Sequence, residues 1–151
     1  MCVLVSEAID PNGSESRTRS PRVLVIEDHE DTLEALVLAL SRMGYDAHGE
    51  SDGRRAWDRL VELAPDAVVV DLFLPRLEGW RLAELIRVDR RLRRTPVVVL
   101  TGSTTPDSVQ RARDAGADAV LFKPCEPERV AAELQSVLAR RASTPPAVSS
   151  P

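Results

Sequence analysis

Short runs of β-branched residues alternate along this chain with stretches whose apolar residues recur at helical spacing, and that alternation leaves few folds open. RVLVIED (22–28) is followed by Leu33, Leu36, Val37 and Leu40 at i, i+3, i+4 and i+7, closed by Gly44. A weaker run, YDAHGE (45–50), precedes Ala56, Leu60 and Leu63, which predict a second helix ending before Pro65. DAVVVDLF (66–73) predicts a third strand, and Trp80, Leu82, Ala83, Leu85 and Ile86 a third helix. TPVVVLTG (95–102) predicts the fourth strand, a helix follows from about Pro106 to Gly116, DAVLF (118–122) predicts the fifth strand, and a last helix runs from about Pro127 to Arg141. Five strands alternating with five helices predict an α/β fold around a parallel sheet. The unbroken apolar runs at 23–26, 67–70 and 97–100 predict that both sheet faces are covered.

Composition sets the outer limits. A chain of 151 residues, 43% hydrophobic and 29% charged, suffices for one domain with a core, where two would be cramped. Residues 1–20 and 142–151, rich in Ser, Pro, Gly and Thr, predict flexible tails around a domain at 21–141. A net charge of -4 supplies no general attraction for nucleic acid or an anionic membrane. RRLRR (90–94) is a local exception, read as a solvated helix end and loop. Cys2 and Cys125 have neither zinc-ligand nor redox spacing, which fits a reducing cytoplasm. The opening MCVLV is too short for a signal peptide, and no apolar run reaches the roughly 18 residues that span a bilayer, so a soluble cytoplasmic protein is expected.

Ligands of open α/β sheets bind beyond the carboxyl ends of the strands. There the chain places Glu27 and Asp28 after the first strand, Asp71 at the third, Thr101 with Gly102 and Ser103 at the fourth, and Lys123 with Pro124 at the fifth. Three carboxylates about 4 Å apart would repel by roughly 4 kcal/mol per pair at an effective dielectric near 20. They need a cation, and all-oxygen donors that must leave room for phosphate and water suit Mg²⁺. Such an ion would hold a phosphoryl donor for in-line attack by a carboxylate oxygen. Lys123 is the single lysine beside 19 arginines, a compact charge on a flexible stem.

Alone, each of these residues has an ordinary reading: Asp71 a turn cap, Thr101 a turn former, Lys123 a solvated charge. Their joint position reverses that balance. His29 is expected as an exposed first-turn residue rather than a ligand, His48 as a strand surface residue, Trp57 and Trp80 as helix-face packing, and Cys125 as a small, exposed thiol.

Taken together, VLVIED with Glu27-Asp28, DLFLPRLEG (71–79) with Pro75 and Gly79, PVVVLTG with Thr101, AGAD (115–118) and Lys123-Pro124 make residues 22–141 resemble the receiver domains of two-component response regulators. The resemblance implies a doubly wound five-stranded parallel sheet of order 2-1-3-4-5 with five helices, the flavodoxin-like receiver fold. It implies that Asp71 accepts a phosphoryl group from a histidine kinase or phosphotransfer protein. Asp28, Asp71 and the backbone carbonyl of Phe73 would ligate Mg²⁺, with Glu27 assisting through water. Thr101 and Lys123 would bind phosphoryl oxygens, and the Lys123–Pro124 peptide would be cis. Such a chain would not be an enzyme beyond its own phosphotransfer and dephosphorylation, and with nothing after residue 141 fit to form an output module it would dock an effector protein. In this family the fourth helix, fifth strand and fifth helix most often make the docking face.

Two residues depart from the pattern. Val120 stands where the family usually places the aromatic switch residue that partners Thr101, so activation would rely on the 101–106 loop. Phe73 stands where a polar or small residue is usual, and its ring is expected to slow the water that hydrolyses an acyl phosphate. The alternative is a degenerate receiver working as a phosphorylation-independent interaction module. Enzymes on the same sheet are disfavoured: a haloacid-dehalogenase-type phosphatase needs Asp-x-Asp where this chain has Asp71-Leu72-Phe73, a flavodoxin needs a phosphate loop where it has EDHED, and the cobalamin motif Asp-x-His-x-x-Gly is missing.

Overall fold

In the computed structural model, which describes residues 19–74 and 78–143, strands and helices alternate strictly: β1 (Arg22–Ile26), α1 (Glu30–Arg42), β2 (Asp46–Glu50), α2 (Gly53–Leu63), β3 (Ala67–Asp71), α3 (Gly79–Val88), β4 (Val97–Thr101), α4 (Pro106–Asp114), β5 (Ala119–Phe122) and α5 (Pro127–Ser143). The strands form one sheet in the order β2-β1-β3-β4-β5, every pair parallel. This is the doubly wound arrangement expected, with its reversal of strand order between β1 and β3. Residues 1–18 and 144–151 of the two predicted tails, Cys2 among them, and Pro75 of the 71–79 segment lie outside the described residues.

Strand side chains alternate between two cores because successive Cβ atoms point to opposite faces. Leu24, Ile26, Val68, Val70, Val97 and Val99 pack with Ala56 and Leu60 of α2, Leu82 and Ile86 of α3, and Ala112 of α4. Val23, Val25, Val69, Val98 and Leu100 pack with Leu33, Leu36 and Leu40 of α1 and Val130, Leu134 and Val137 of α5. The central strands β3 and β4 are buried along their whole length, as both-face coverage requires.

Three details differ from the sequence reading. Leu85, expected on the apolar face of α3, is 44% exposed. Leu82, Ala83 and Ile86 already define the buried stripe, and a 3.6-residue period leaves Leu85 beside it. Leu92, inside the run RRLRR, is buried beneath four exposed arginines. Strands β3 and β4, five residues each, are also shorter than the segments 66–73 and 95–102 that predicted them, because the ladder ends just past Asp71 and Thr101.

Candidate functional site

Register sets the site before any side chain does. Asp71 pairs with Leu100 and Thr101 with Phe122 in neighbouring strands, so the ends of β3, β4 and β5 come level. Two backbone bonds continue the alignment past the strands, from the Leu72 N–H to the Leu100 carbonyl and from the Lys123 N–H to the Thr101 carbonyl, each 2.8 Å. Glu27 leaves β1 through a 3.1 Å bond from its N–H to the Glu50 carbonyl. Gly79 closes the β3–α3 connection by donating to the Leu72 carbonyl at 2.8 Å. A Cβ at that glycine would collide with the Asp71 carbonyl, so only glycine lets α3 start against the strand end.

Lys123 joins the acids. Its Nζ donates to Glu27 Oε2 at 2.6 Å and to Asp71 Oδ2 at 2.8 Å, while Asp71 Oδ1 accepts the Phe73 N–H at 3.1 Å. Glu27 and Asp71 are both buried, and Thr101 is fully so. Burial pushes the Glu27 carboxyl above its ordinary range, and the hydrogen bond from Lys123 only partly counters this. Burial also pulls the Lys123 ammonium down, but hydrogen bonds and charge from Asp71 and Glu27 outweigh it and hold the group above its usual value.

Thr101 Oγ1 accepts the Ser103 N–H at 3.0 Å, which ties the strand end to the loop leading into α4. The Lys123–Pro124 peptide is cis. Val120 is partly buried and packs on the core shared with α2 and α3. Phe73 is 51% exposed beside the acid site. Thus the structure draws Glu27, Asp71 and Lys123 into direct contact and leaves Asp28, 28% exposed at its side chain, next to them.

Among the described residues, the three that place possible ligand atoms within 4.8 Å of one another are Glu27, Asp28 and His29, not Glu27, Asp28 and Asp71. The Lys123 ammonium lies between Glu27 and Asp71 and itself supplies counter-charge to both, which offsets part of the repulsion between them. Glu27 and Asp28 nevertheless offer two hard oxygen donors on one turn, a donor set that fits a divalent cation such as Mg²⁺.

A second feature was missed in the sequence. Leu72, Phe73, Trp80, Asp107, Ser108 and Arg111 line a cavity of about 130 Å³ between the end of β3 and α4. The Arg111 guanidinium carbon lies 5.1 Å from the centroid of the Trp80 ring, so α3 and α4 are bridged by a cation–π contact. The indole Nε1 of Trp80 is buried and meets no acceptor among the described residues. Nothing local in the sequence couples positions 80 and 111, which only the fold brings together. Cys125 is half-buried, and burial raises its thiol pKa.

Comparison with known proteins agrees with this geometry. The profile of the response regulator receiver domain matches residues 23–135. The DNA-binding dual master transcriptional regulator RpaA of Synechocystis is 32% identical over 127 residues, covering 84% of this chain and 53% of the relative. The chain spans about half the length of that relative and of the mycobacterial MtrA regulators it also matches. Chemotaxis response regulator CheY4 of Vibrio cholerae superposes with a TM-score of 0.73 at 27% identity, covering 78% of this chain and 98% of that one. The signal receiver domain of a histidine kinase from Syntrophus aciditrophicus gives a TM-score of 0.76 at 28% identity, covering 84% and 96%. Among the described residues, no helix is long and apolar enough to cross a membrane.

Proposed function

Because the chain belongs to the response regulator receiver domain family, we propose that it is a phosphoacceptor of two-component or phosphorelay signalling, phosphorylated on Asp71. The observation that carries this reading is the single lysine bridging Glu27 and Asp71 at 2.6 and 2.8 Å, beside a buried Thr101, at the carboxyl ends of four strands. A phosphorylated histidine of a kinase or phosphotransfer protein supplies the group. An Asp71 carboxylate oxygen attacks phosphorus, the P–O bond forms, the P–N bond breaks, and the imidazole leaves with its electron pair.

Mg²⁺, when bound, neutralises charge on the phosphoryl oxygens and orients them. Glu27 and Asp28 would hold it, with Asp71 and the Phe73 carbonyl completing the set. Lys123 turns from the Asp71 carboxylate to a phosphoryl oxygen, since its flexible stem lets the same ammonium serve both. Thr101 gives up its bond to the Ser103 N–H to reach another oxygen, and the 101–106 loop moves with it. With Val120 in place of an aromatic residue, that loop transmits the change to α4. Phe73, half-exposed beside the acceptor, slows hydrolysis of the acyl phosphate. The output is phosphorylation-dependent docking of an effector protein by the domain at 21–141, in the cytoplasm.

The test is intact mass after incubation with a small phosphodonor and Mg²⁺. Wild type should gain one phosphoryl group and Asp71→Asn none. Equal gain in both proteins, or none in either, would reject the assignment.

A further inference from the structure

His29 occupies the N-cap of α1, where Ser, Thr, Asp or Asn would ordinarily bond a free amide of the first turn. Its side chain makes no such bond. The imidazole lies beside the acids instead, with Nδ1 3.8 Å from Asp28 Oδ1 and 3.9 Å from Glu27 Oε1. The backbone holds this arrangement, because the His29 N–H donates to Glu27 Oε1 at 3.3 Å and keeps the turn folded over the buried carboxylate. One nitrogen and two oxygens of ligand type therefore fall within 4.8 Å. The His29 side chain is 79% exposed, so no packed neighbour has to move for its nitrogen to approach an ion.

Donor chemistry then decides which ion gains. Two carboxylates suit a hard cation, for which water competes well. An imidazole nitrogen adds little for Mg²⁺ but much for the borderline first-row ions, Zn²⁺ among them, which favour nitrogen donors. We propose, on the reading of the metal site given above, that His29 is a third protein ligand there, and that its nitrogen makes the site hold Zn²⁺ more tightly relative to Mg²⁺ than Glu27 and Asp28 do by themselves.

The test uses the full chain, which has two histidines, His29 and His48. Imidazole nitrogen resonances are followed by NMR during separate titrations with zinc and magnesium chloride, and affinities are read by competition with a chromophoric chelator for wild type, His29→Ala, His29→Gln and His48→Gln. Zn²⁺ should shift the His29 nitrogen resonance, and both His29 variants should lose about tenfold or more in the Zn²⁺ to Mg²⁺ affinity ratio, no less than loss of an outer-shell partner costs. Equal ratios in wild type and the His29 variants overturn the proposal. So does a loss that follows His48→Gln, because His48 Nε2 lies 2.9 Å from Asp46 Oδ1 and is the competing site. Failure of Asp71 to take up phosphate, measured separately by mass, would reject the phosphoacceptor reading without moving these resonances.

Discussion

At the scale of one residue, Lys123 governs the site. Its ammonium is shared by two buried acids, and removing it leaves them facing each other without counter-charge. Lys123→Met is expected to lower stability at neutral pH by about 1–3 kcal/mol, less than for a fully buried pair because the side chain keeps contact with water. Urea unfolding of both proteins measures it. The pH dependence has a definite sign. Because the Lys123 pKa is raised in the folded state, its contribution is fully present below the ordinary lysine value of 10.5 and is lost as pH climbs through the higher folded value. Wild type should therefore lose a margin above pH 10.5 that Lys123→Met lacks. Glu27 acts in the opposite sense: its raised pKa means that the ionised form costs stability at neutral pH, a cost that placing charge at the site entails. The acids, Thr101 and Lys123 were all legible as strand-end residues. Where the ammonium comes to rest was not, because the rotamers of a long side chain are decided by neighbours distant in sequence. The same holds for His29, whose turn toward Glu27 depends on a backbone bond that no residue pattern announces.

At the scale of the element, α4 is the least buried helix. Of its nine residues only Ala112 is buried, and its start depends on Thr105, which caps the Ser108 N–H. Ser103, Thr105 and Ser108 also share hydroxyl contacts of 2.9–3.2 Å, so the cap is continuous with the loop that Thr101 anchors. Thr105→Ala should cost about 1 kcal/mol, in line with other lost caps. Its effect should be local: amide exchange should quicken across α4 while α1 and α5 keep their protection. Uniform acceleration in every helix would contradict that assignment. Pro106 marked the start of this helix in the sequence, and Gly116, with φ of +101°, the turn beyond its end. Strand limits were less legible. Apolar runs predict where a strand can be buried, whereas the ladder runs on through the polar Asp71 and Thr101 and stops just beyond them.

At the scale of the whole molecule, a polar clamp at the opposite end of the sheet ties four elements together. Asp118 accepts from Arg87 at 2.6 Å, from Arg141 at 2.9 Å and from the Val97 N–H at 2.8 Å. Arg87 also donates to the carbonyls of Gly116 and Thr95, each at 2.7 Å. Helices α3 and α5 are thereby fastened to the starts of β4 and β5. Asp118→Ala should lower stability by about 2–3 kcal/mol in chemical denaturation, because two part-buried guanidiniums lose their counter-charge. Phosphoryl uptake at Asp71 should persist in the folded variant, since the clamp lies at the other ends of the strands. AGAD was legible as a motif, but its arginine partners lie 31 and 23 residues away, and only the completed sheet reveals them.

Of the 20 lysines and arginines in the chain, the sole lysine is Lys123, and its side chain is 29% exposed between two carboxylates. Anhydrides and succinimidyl esters spare guanidinium groups, so side-chain acylation by such reagents can fall at one address. Its rate becomes a chemical clock for how firmly the acids grip that ε-amine.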